Sequence, residues 1–320
     1  GSIFQQNSPQ HLYEVIVIDD HSTDATPMLF RSLPFPNLRL LPLVDYTREE
    51  DTRSFKKKAI EVGIGQAHGD LMVSTDADCL VGPNWLRELA AFYQENKVKF
   101  IAAPVNFHSE NSRFEQFQSL DFLGMMGVTG AGIHLGFMHM CNGANLAYEK
   151  TAFQAIGGFS GIDHLASGDD MLLMQKMAQH YPGQLGFVKS KEARTLTRAE
   201  QKLGAFIRQR IRWASKSTSY QEIQVTFILA MVFFFCCSIL FTLLLLPFWG
   251  MAMGYLLVFQ LLVKGIMDYL FLSRMCQFFG RQDLMQSFAS SFLMHIAYII
   301  GIGVLANLVK EYRWKGRKVR

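Results

Sequence analysis

The chain has 320 residues, half of them apolar, a formal net charge of +4 and five cysteines. That length suits one large α/β domain plus a further region, and so small a net charge excludes a global nucleic-acid-binding field. The cysteines (Cys79, Cys141, Cys236, Cys237, Cys276) form no C-x-x-C pair, which argues for reduced thiols rather than a disulfide framework or zinc site.

Taken in order, residues 1–10 carry no signal-peptide pattern. The chain opens Gly1-Ser2 with no initiator methionine, as a fragment would. Tyr13–Asp20 (YEVIVIDD) is a β-rich apolar run that stops at two acids. Asp24 or Thr23 is placed to cap a helix over Ala25–Arg31. This is the strand–acidic loop–helix unit of a parallel sheet with its ligand edge at the loop. Residues 34–53 are broken by Pro34, Pro36 and Pro42, with a short strand at Leu38–Pro42. Lys56-Lys57-Lys58 opens a helix to about His68 with an inner stripe of Ala59, Ile60, Gly63, Ile64 and Ala67.

Leu71-Met72-Val73 then rises as a strand toward Asp76-Ala77-Asp78. Residues i and i+2 of an extended chain share a face, so both carboxylates can point together at a strand end. Hard oxygens in that place suit Mg²⁺ or Mn²⁺ shared with substrate phosphates; the plainer alternative is a pair of solvated turn aspartates. A helix over Pro83–Asn96 and a strand over Lys99–Val105 follow. Residues 106–150 are rich in Phe, Met and Gly with few charges, a composition more typical of core than of a site. Ser167-Gly168-Asp169-Asp170 precedes an amphipathic helix over Met171–His180, where acids also favour the helix dipole.

The last hundred residues hold three apolar runs, about 225–249, 250–272 and 289–309, each long enough to span a bilayer. Lys264 and Asp268 lie one helical turn apart inside the second. Three full spans would carry the basic tail (Lys310, Arg313, Lys315, Arg317, Lys318, Arg320) to the side opposite the catalytic part, against the positive-inside expectation. A re-entrant or interfacial segment and an exceptional tail both remain open. The expected division is 1–220, 221–310 and 311–320.

The stretches VIDDHSTD and KKKAIEVGIGQAHGDLMVSTDADC resemble family 2 glycosyltransferases, and the likeness runs from about Phe4 to residue 213. It implies a GT-A-like, mostly parallel α/β sheet with flanking helices, followed by transmembrane helices. The family's first strand (V-S-V-I-I-P-x-x-N-E) has no counterpart here, so either the sequence is a fragment or nucleotide binding is impaired in it. The resemblance further implies that Asp19 and Asp20 hold the nucleoside, Asp20 accepting from a uracil-type ring. Asp76, Ala77 and Asp78 would face metal and diphosphate, and Lys56 or Lys57 would neutralise the diphosphate. Asn142, Gly143, Ala144 and Asn145 would lie on the acceptor side near the donor sugar, with Gly143 permitting close backbone approach.

Asp170 would be the general base and Asp169 would orient the loop or acceptor. Gln209-Arg210-Ile211-Arg212-Trp213 matches the family's Q-x-x-R-W: Arg212 would face the leaving diphosphate, and Trp213 would wall the sugar or acceptor. Arg210 and Lys216, like Lys202 and Arg208, are available to anionic headgroups. The expected function is an inverting, metal-dependent transfer from a UDP-sugar to a lipid or lipid-linked acceptor, in the inner or plasma membrane with the catalytic part cytoplasmic and no nucleic-acid partner. A processive synthase building a glycan is the alternative within the family. A nucleotidyltransferase and a non-catalytic membrane module are alternatives outside it.

Overall fold

The computed structural model describes all residues except 48–53, 164, 166–167, 216–221, 309–311, 315–316 and 320. The chain forms two compact units, each assembled from separate stretches: residues 1–105 with 132–196, and 106–131 with 197–319.

In the first unit, β1 (Val15–Asp19) and β2 (Leu38–Pro42) pair in parallel, with Asp19 opposite Pro42. Between them runs α1 (Thr26–Arg31), started by an Asx turn in which the Thr26 N–H donates to Asp24 at 2.9 Å. Pro27 in its first turn costs nothing, because that N–H has no helical partner. The next helix, α2 (Phe55–Gln66), packs Phe55 and Val62 against Leu43 and Ile18. β3 (Leu71–Ser74) follows, then the short β4 (Leu80–Val81) and α3 (Trp85–Asn96). Trp85 and Leu89 on α3 join Val81, Ile101, Ala147 and Val188 in the main core.

The single strand expected over Lys99–Val105 is two, β5 (Phe100–Ala102) and β6 (Val105–Phe107). Pro104 separates them, since it has no N–H to give a ladder. Its carbonyl instead accepts from the Asn145 side chain and the Thr195 N–H. A long helix, α4 (Arg113–Leu135), comes next, then β7 (Leu146–Glu149), α5 (Lys150–Ala155), α6 (Met171–His180), β8 (Leu185–Phe187) and β9 (Thr195–Thr197).

The main sheet has the order β3-β7-β5-β8. It is mixed rather than mostly parallel, because β7 runs antiparallel to both neighbours and only β5 and β8 are parallel. β7 enters from the Asn142–Asn145 loop, at the carboxyl ends of β3 and β5, and so must run back along them: Leu146 stands opposite both Ser74 and Ala102. That register sets the loop after β3 beside the loop before β7.

The second unit is helical. Ser112 starts α4: its hydroxyl accepts the Glu115 N–H and donates to the Glu115 carboxylate. Two glycines of α4 are packing positions. A Cβ at Gly127 would come within 2.7 Å of Met275 and Phe271, and one at Gly124 within 3.2 Å of Leu272. α7 (Leu203–Ala214) is amphipathic; it is followed by α8 (Ile223–Trp249), α9 (Met251–Phe279) and α10 (Phe288–Leu308). Gly250, at φ +60°, turns α8 into α9. Among the described residues three helical stretches are long and apolar enough to cross a membrane: Ile223–Trp249, Met251–Phe279 and Gln282–Leu308. In α9 the expected Lys264–Asp268 pair forms, with Lys264 also 5.4 Å from the Phe292 ring. The tail carries an antiparallel pair, β10 (Tyr312–Trp314) and β11 (Arg317–Val319); Lys310, Lys315 and Arg320 lie outside the described residues.

Candidate active site

The acids singled out in the sequence stand at the end of β1, just past the end of β3 and at the start of α6. β1 ends in Asp19, whose carboxylate accepts the Ser22 N–H at 3.1 Å. Asp20 lies 3.1 Å from His21 Nδ1, and His21 holds a left-handed backbone (φ 59°) with its ring edge-on to Phe55. Beyond β3 the chain turns at Asp76–Cys79, the Cys79 N–H donating to the Asp76 carbonyl. Ala77 and Asp78 are exposed on this turn, and Asp76 is partly so.

Thr75 anchors the turn. Its hydroxyl donates to the Ala144 carbonyl at 2.8 Å, tying the acidic loop to the Asn142–Asn145 segment. Within that segment Asn142 accepts the Ala144 N–H at 2.9 Å. The Gly143 N–H donates to Asp170 Oδ2 at 3.0 Å, and the Met171 N–H to Asp170 Oδ1 at 2.8 Å. Asp170 therefore caps α6 while its second oxygen is held by the 142–145 loop. The close approach expected at Gly143 is an approach to this acid pair, since a Cβ there would lie 3.5 Å from Asp169 and Asp170 oxygens.

Lys56, in the first turn of α2, joins the two acidic loops. Its ammonium is 3.1 Å from Asp76 and 3.0 Å from Asp169. Burial pulls its pKa down, but Asp169, Asp76 and Asp170 outweigh this and hold it far above the ordinary lysine value. The neighbouring Tyr148 is buried, and burial together with the Asp169 charge pushes its phenol above the ordinary value.

Two of the expected site residues are committed to the scaffold. Lys57 is 2% exposed and donates to the Ile162 and Leu165 carbonyls, so it clamps the segment leading to Asp169 instead of facing a diphosphate. Asn145 is fully buried: its amide donates to Pro104 and Ala193 carbonyls and accepts from the Trp85 indole, leaving it no group for an acceptor. Thr75 and Tyr148 are contributors that the sequence left unmarked; a hydroxyl just before Asp76 was the available signal for the first.

Gln209, Arg212 and Trp213 lie on α7, in the second unit. Arg210 corrects an expectation. It is 1% exposed and paired with Asp121 at 3.1 Å, so it does not meet lipid headgroups. Lys202 and Arg208 are exposed, while Ser167 and Lys216 lie outside the described residues.

Among the described residues no group of three or more His, Cys, Asp or Glu side chains is placed to hold a metal. Asp76 and Asp78 still offer hard carboxylate oxygens on one exposed turn. That donor set fits a Mg²⁺-like ion completed by phosphate oxygens and water better than an all-protein cage.

An α/β unit with acids at strand ends, joined in one chain to helices long and apolar enough to cross a membrane, is the arrangement against which the family match is read. Residues 72–302 match the glycosyl transferase family group 2, well over half of the chain, and the protein belongs to that family. Its first unit is an α/β fold with a mixed sheet. The chain is similar to glycosyltransferase AglE of Haloferax volcanii, 25% identical over 178 residues covering 53% of each protein. It is also similar to succinoglycan biosynthesis protein ExoO of Rhizobium meliloti, 38% identical over 76 residues covering 24% of this chain and 20% of that protein. The chain thus spans about half the length of the first relative and a fifth of the second. Among solved structures, S. aureus TarS 1-349 in complex with UDP-GlcNAc aligns at a TM-score of 0.46 and 15% identity, covering 100% of this chain and 90% of that one. GalNAc-T7 with UDP, GalNAc and Mn²⁺ aligns at 0.43 and 16%, covering 67% and 46%.

Proposed function

We propose that the protein is a membrane-anchored inverting glycosyltransferase that moves a sugar from a nucleotide donor, most simply a UDP-sugar, to a lipid or lipid-linked acceptor at the cytoplasmic face. One observation carries the reading: Lys56 draws Asp76 and Asp169 together, next to an Asp170 held by the Gly143 and Met171 N–H groups. Asp19 and Asp20 at the end of β1 take the nucleoside. Asp170 takes the proton from the acceptor hydroxyl while that oxygen attacks the anomeric carbon. The bond to the diphosphate breaks on the opposite face, and its electron pair leaves with the diphosphate. A divalent cation on Asp78 and Asp76 would supply charge neutralisation for that leaving group. Lys56 adds a fixed positive charge on the protein side. The three apolar helices provide the anchor and bring the enzyme to a lipid-borne hydroxyl.

The test is nucleoside diphosphate release from a panel of UDP- and GDP-sugars, in detergent with membrane lipid extract and Mg²⁺ or Mn²⁺, wild type against Asp170→Asn. Release from one donor that disappears in the variant supports the reading, and product length then separates a glycolipid from a polymer. Pyrophosphate release would point to nucleotidyl transfer. Equal turnover in the variant would sink Asp170 as the base.

A further inference from the structure

Arg210 occupies a position that the Gln209–Trp213 motif leaves open, and the proposed reaction gives it no task. Yet it is the bulkiest fully buried side chain among the described residues, 1% exposed, and it carries a charge. Its Nη2 lies 3.1 Å from Asp121 Oδ2 on α4, itself 8% exposed. Its guanidinium carbon is 4.4 Å from the Trp213 ring centre, 5.0 Å from Phe206 and 5.5 Å from Tyr298. Nε finds no hydrogen-bond acceptor. A buried ion pair of this kind, even with His295 3.9 Å from the second Asp121 oxygen and the Met125 sulfur 3.6 Å from Arg210 Nη1, is poor value for stability, because apolar side chains of similar volume commonly do as well or better. A guanidinium with an unmet donor is poorer still. What it does supply is direction: a planar cation pressed on an indole fixes the ring's tilt, which an aliphatic chain would not.

Arg210 and Trp213 sit three residues apart on α7, where side chains are neighbours on one helix face. Phe122, next in sequence to Asp121, approaches the Trp213 ring at 6.3 Å. Trp213 is thus gripped from α4 by Phe122 directly and by Asp121 through Arg210.

We infer that Arg210 is a positioning residue for the transfer: anchored by Asp121, it sets the orientation of the Trp213 indole and thereby the wall against which the sugar or acceptor is placed. This rests on the reading of Trp213 as that wall. Arg210 itself touches neither donor nor acceptor. Replacing it leaves the transfer chemistry intact but loosens the wall, so acceptor KM rises while nucleotide-sugar cleavage by water does not fall.

The experiment compares Arg210→Lys, Arg210→Met, Asp121→Asn and Trp213→Ala in the full-length protein in detergent. Acceptor KM and kcat and donor hydrolysis are measured, together with indole emission in a background carrying Trp249→Phe and Trp314→Phe. In that background Trp85 remains as a constant signal in every variant. Arg210→Met is expected to raise acceptor KM by about tenfold, the order that loss of one desolvated cation–π contact gives, and to shift Trp213 emission. Arg210→Lys is expected to restore part of both, and Asp121→Asn to reproduce the Met variant in milder form. Wild-type KM and emission in Arg210→Met, with only a lower thermal midpoint, would mean that the pair is structural and would overturn the proposal. If Trp213→Ala leaves acceptor KM unchanged, the wall reading fails and takes the inference with it. If Trp213→Ala raises KM and Arg210→Met does not, the inference alone fails. Should Arg210→Met not fold, Arg210→Lys and Asp121→Asn carry the same comparison, and emission is read even without turnover.

Discussion

The Lys56 ammonium lies 3.0 Å from the Asp169 carboxylate, and the same nitrogen reaches Asp76 at 3.1 Å. One side chain from α2 thereby joins the loop after β3 to the loop before α6. Two carboxylates facing a common space repel each other unless a cation stands between them. Lys56 is that cation, and it keeps both loops in register before any ligand arrives.

Lys56→Met should therefore cost more than one contact. Donor KM should rise and kcat/KM fall by about tenfold to a hundredfold, as expected for loss of 1.5–3 kcal/mol from hydrogen bonds to charged groups. Lys56→Arg should retain part of the activity. The pH profile checks the same assignment. A lysine whose pKa is raised in the folded state contributes stability fully below its unfolded value, near 10.5, and loses it only as pH climbs through the higher folded value. Between pH 7 and 10, then, kcat/KM should show no alkaline limb from Lys56. A limb in that range that vanishes in Lys56→Arg would show that the ammonium is not held by the three carboxylates.

Lys57 and Asn145 should behave oppositely to Lys56. Lys57→Met strips the Ile162 and Leu165 carbonyls of a buried donor, and Asn145→Ala leaves the Ala193 carbonyl and the Trp85 indole unpaired and takes one of two donors from the Pro104 carbonyl. Each buried group left without a partner costs about 1–3 kcal/mol. Both variants should lower the thermal midpoint by several degrees, while the protein that stays folded keeps a donor KM close to wild type. A raised donor KM at unchanged stability in Lys57→Met would return that lysine to the diphosphate.

Gly143 offers a graded probe of the acid pair. Its ideal Cβ would sit 3.5 Å from the Asp170 carboxylate, an ordinary contact, and the residue has no positive φ to protect. Gly143→Ala should be nearly neutral. Gly143→Val adds two methyl groups that must displace Asp169 or Asp170, and kcat should fall by at least about tenfold with little change in the melting curve. Equal activity of the two variants would mean that the loop is free to withdraw from the acids.

How much of this was legible in the sequence depended on the kind of signal. β1, β2, β3, α2, α6, α8 and α10 were read within a few residues, because alternation, periodicity or sheer apolar length marks them locally, while α9 runs seven residues past the apolar stretch that marked it. The acids at the strand ends were legible for the same reason, as breaks in apolar runs. The direction of β7 was not: nothing in LAYE tells an antiparallel strand from a parallel one, and the order β3-β7-β5-β8 arises only from long-range pairing. The 23-residue α4 was hidden by its glycines, although the cue was present in Ser112 with Glu115 three residues on. No local signal shows the packing role of Gly124 and Gly127, because the chain that needs the space, α9, comes some 150 residues later. Among the three lysines, charge alone could not say that Lys56 would face carboxylates and Lys57 two backbone carbonyls. One residue along a helix turns the side chain by about 100°, and burial then decides.

The second unit should be the acid-sensitive part of the protein, and Glu110 should be the reason. This carboxylate, 5% exposed, receives two hydrogen bonds from Arg281 at 3.0 Å each and one from Ser119. Burial alone would raise its pKa, but the bonds from Arg281 and Ser119 and the Arg281 charge prevail and hold it below the ordinary glutamate value of 4.5. A carboxylate with a depressed folded pKa contributes stability that is complete above its unfolded value. That contribution drains away as pH falls from about 4.5 through the lower folded value, because the unfolded chain binds the proton first. Arg281 also donates to the Phe107 carbonyl and pairs with Asp283, so the loss frees the turn between α9 and α10 from residues 107–110. On going from pH 6 to pH 4 the thermal midpoint in detergent should drop, and Glu110→Gln should remove part of that drop while starting about 2–4 °C lower at pH 6, as loss of roughly 1 kcal/mol gives in a protein of this size. An identical pH dependence in wild type and variant would assign the acid sensitivity to other carboxylates, with Glu149, held low by Lys99, Thr151 and Tyr93, the next to replace.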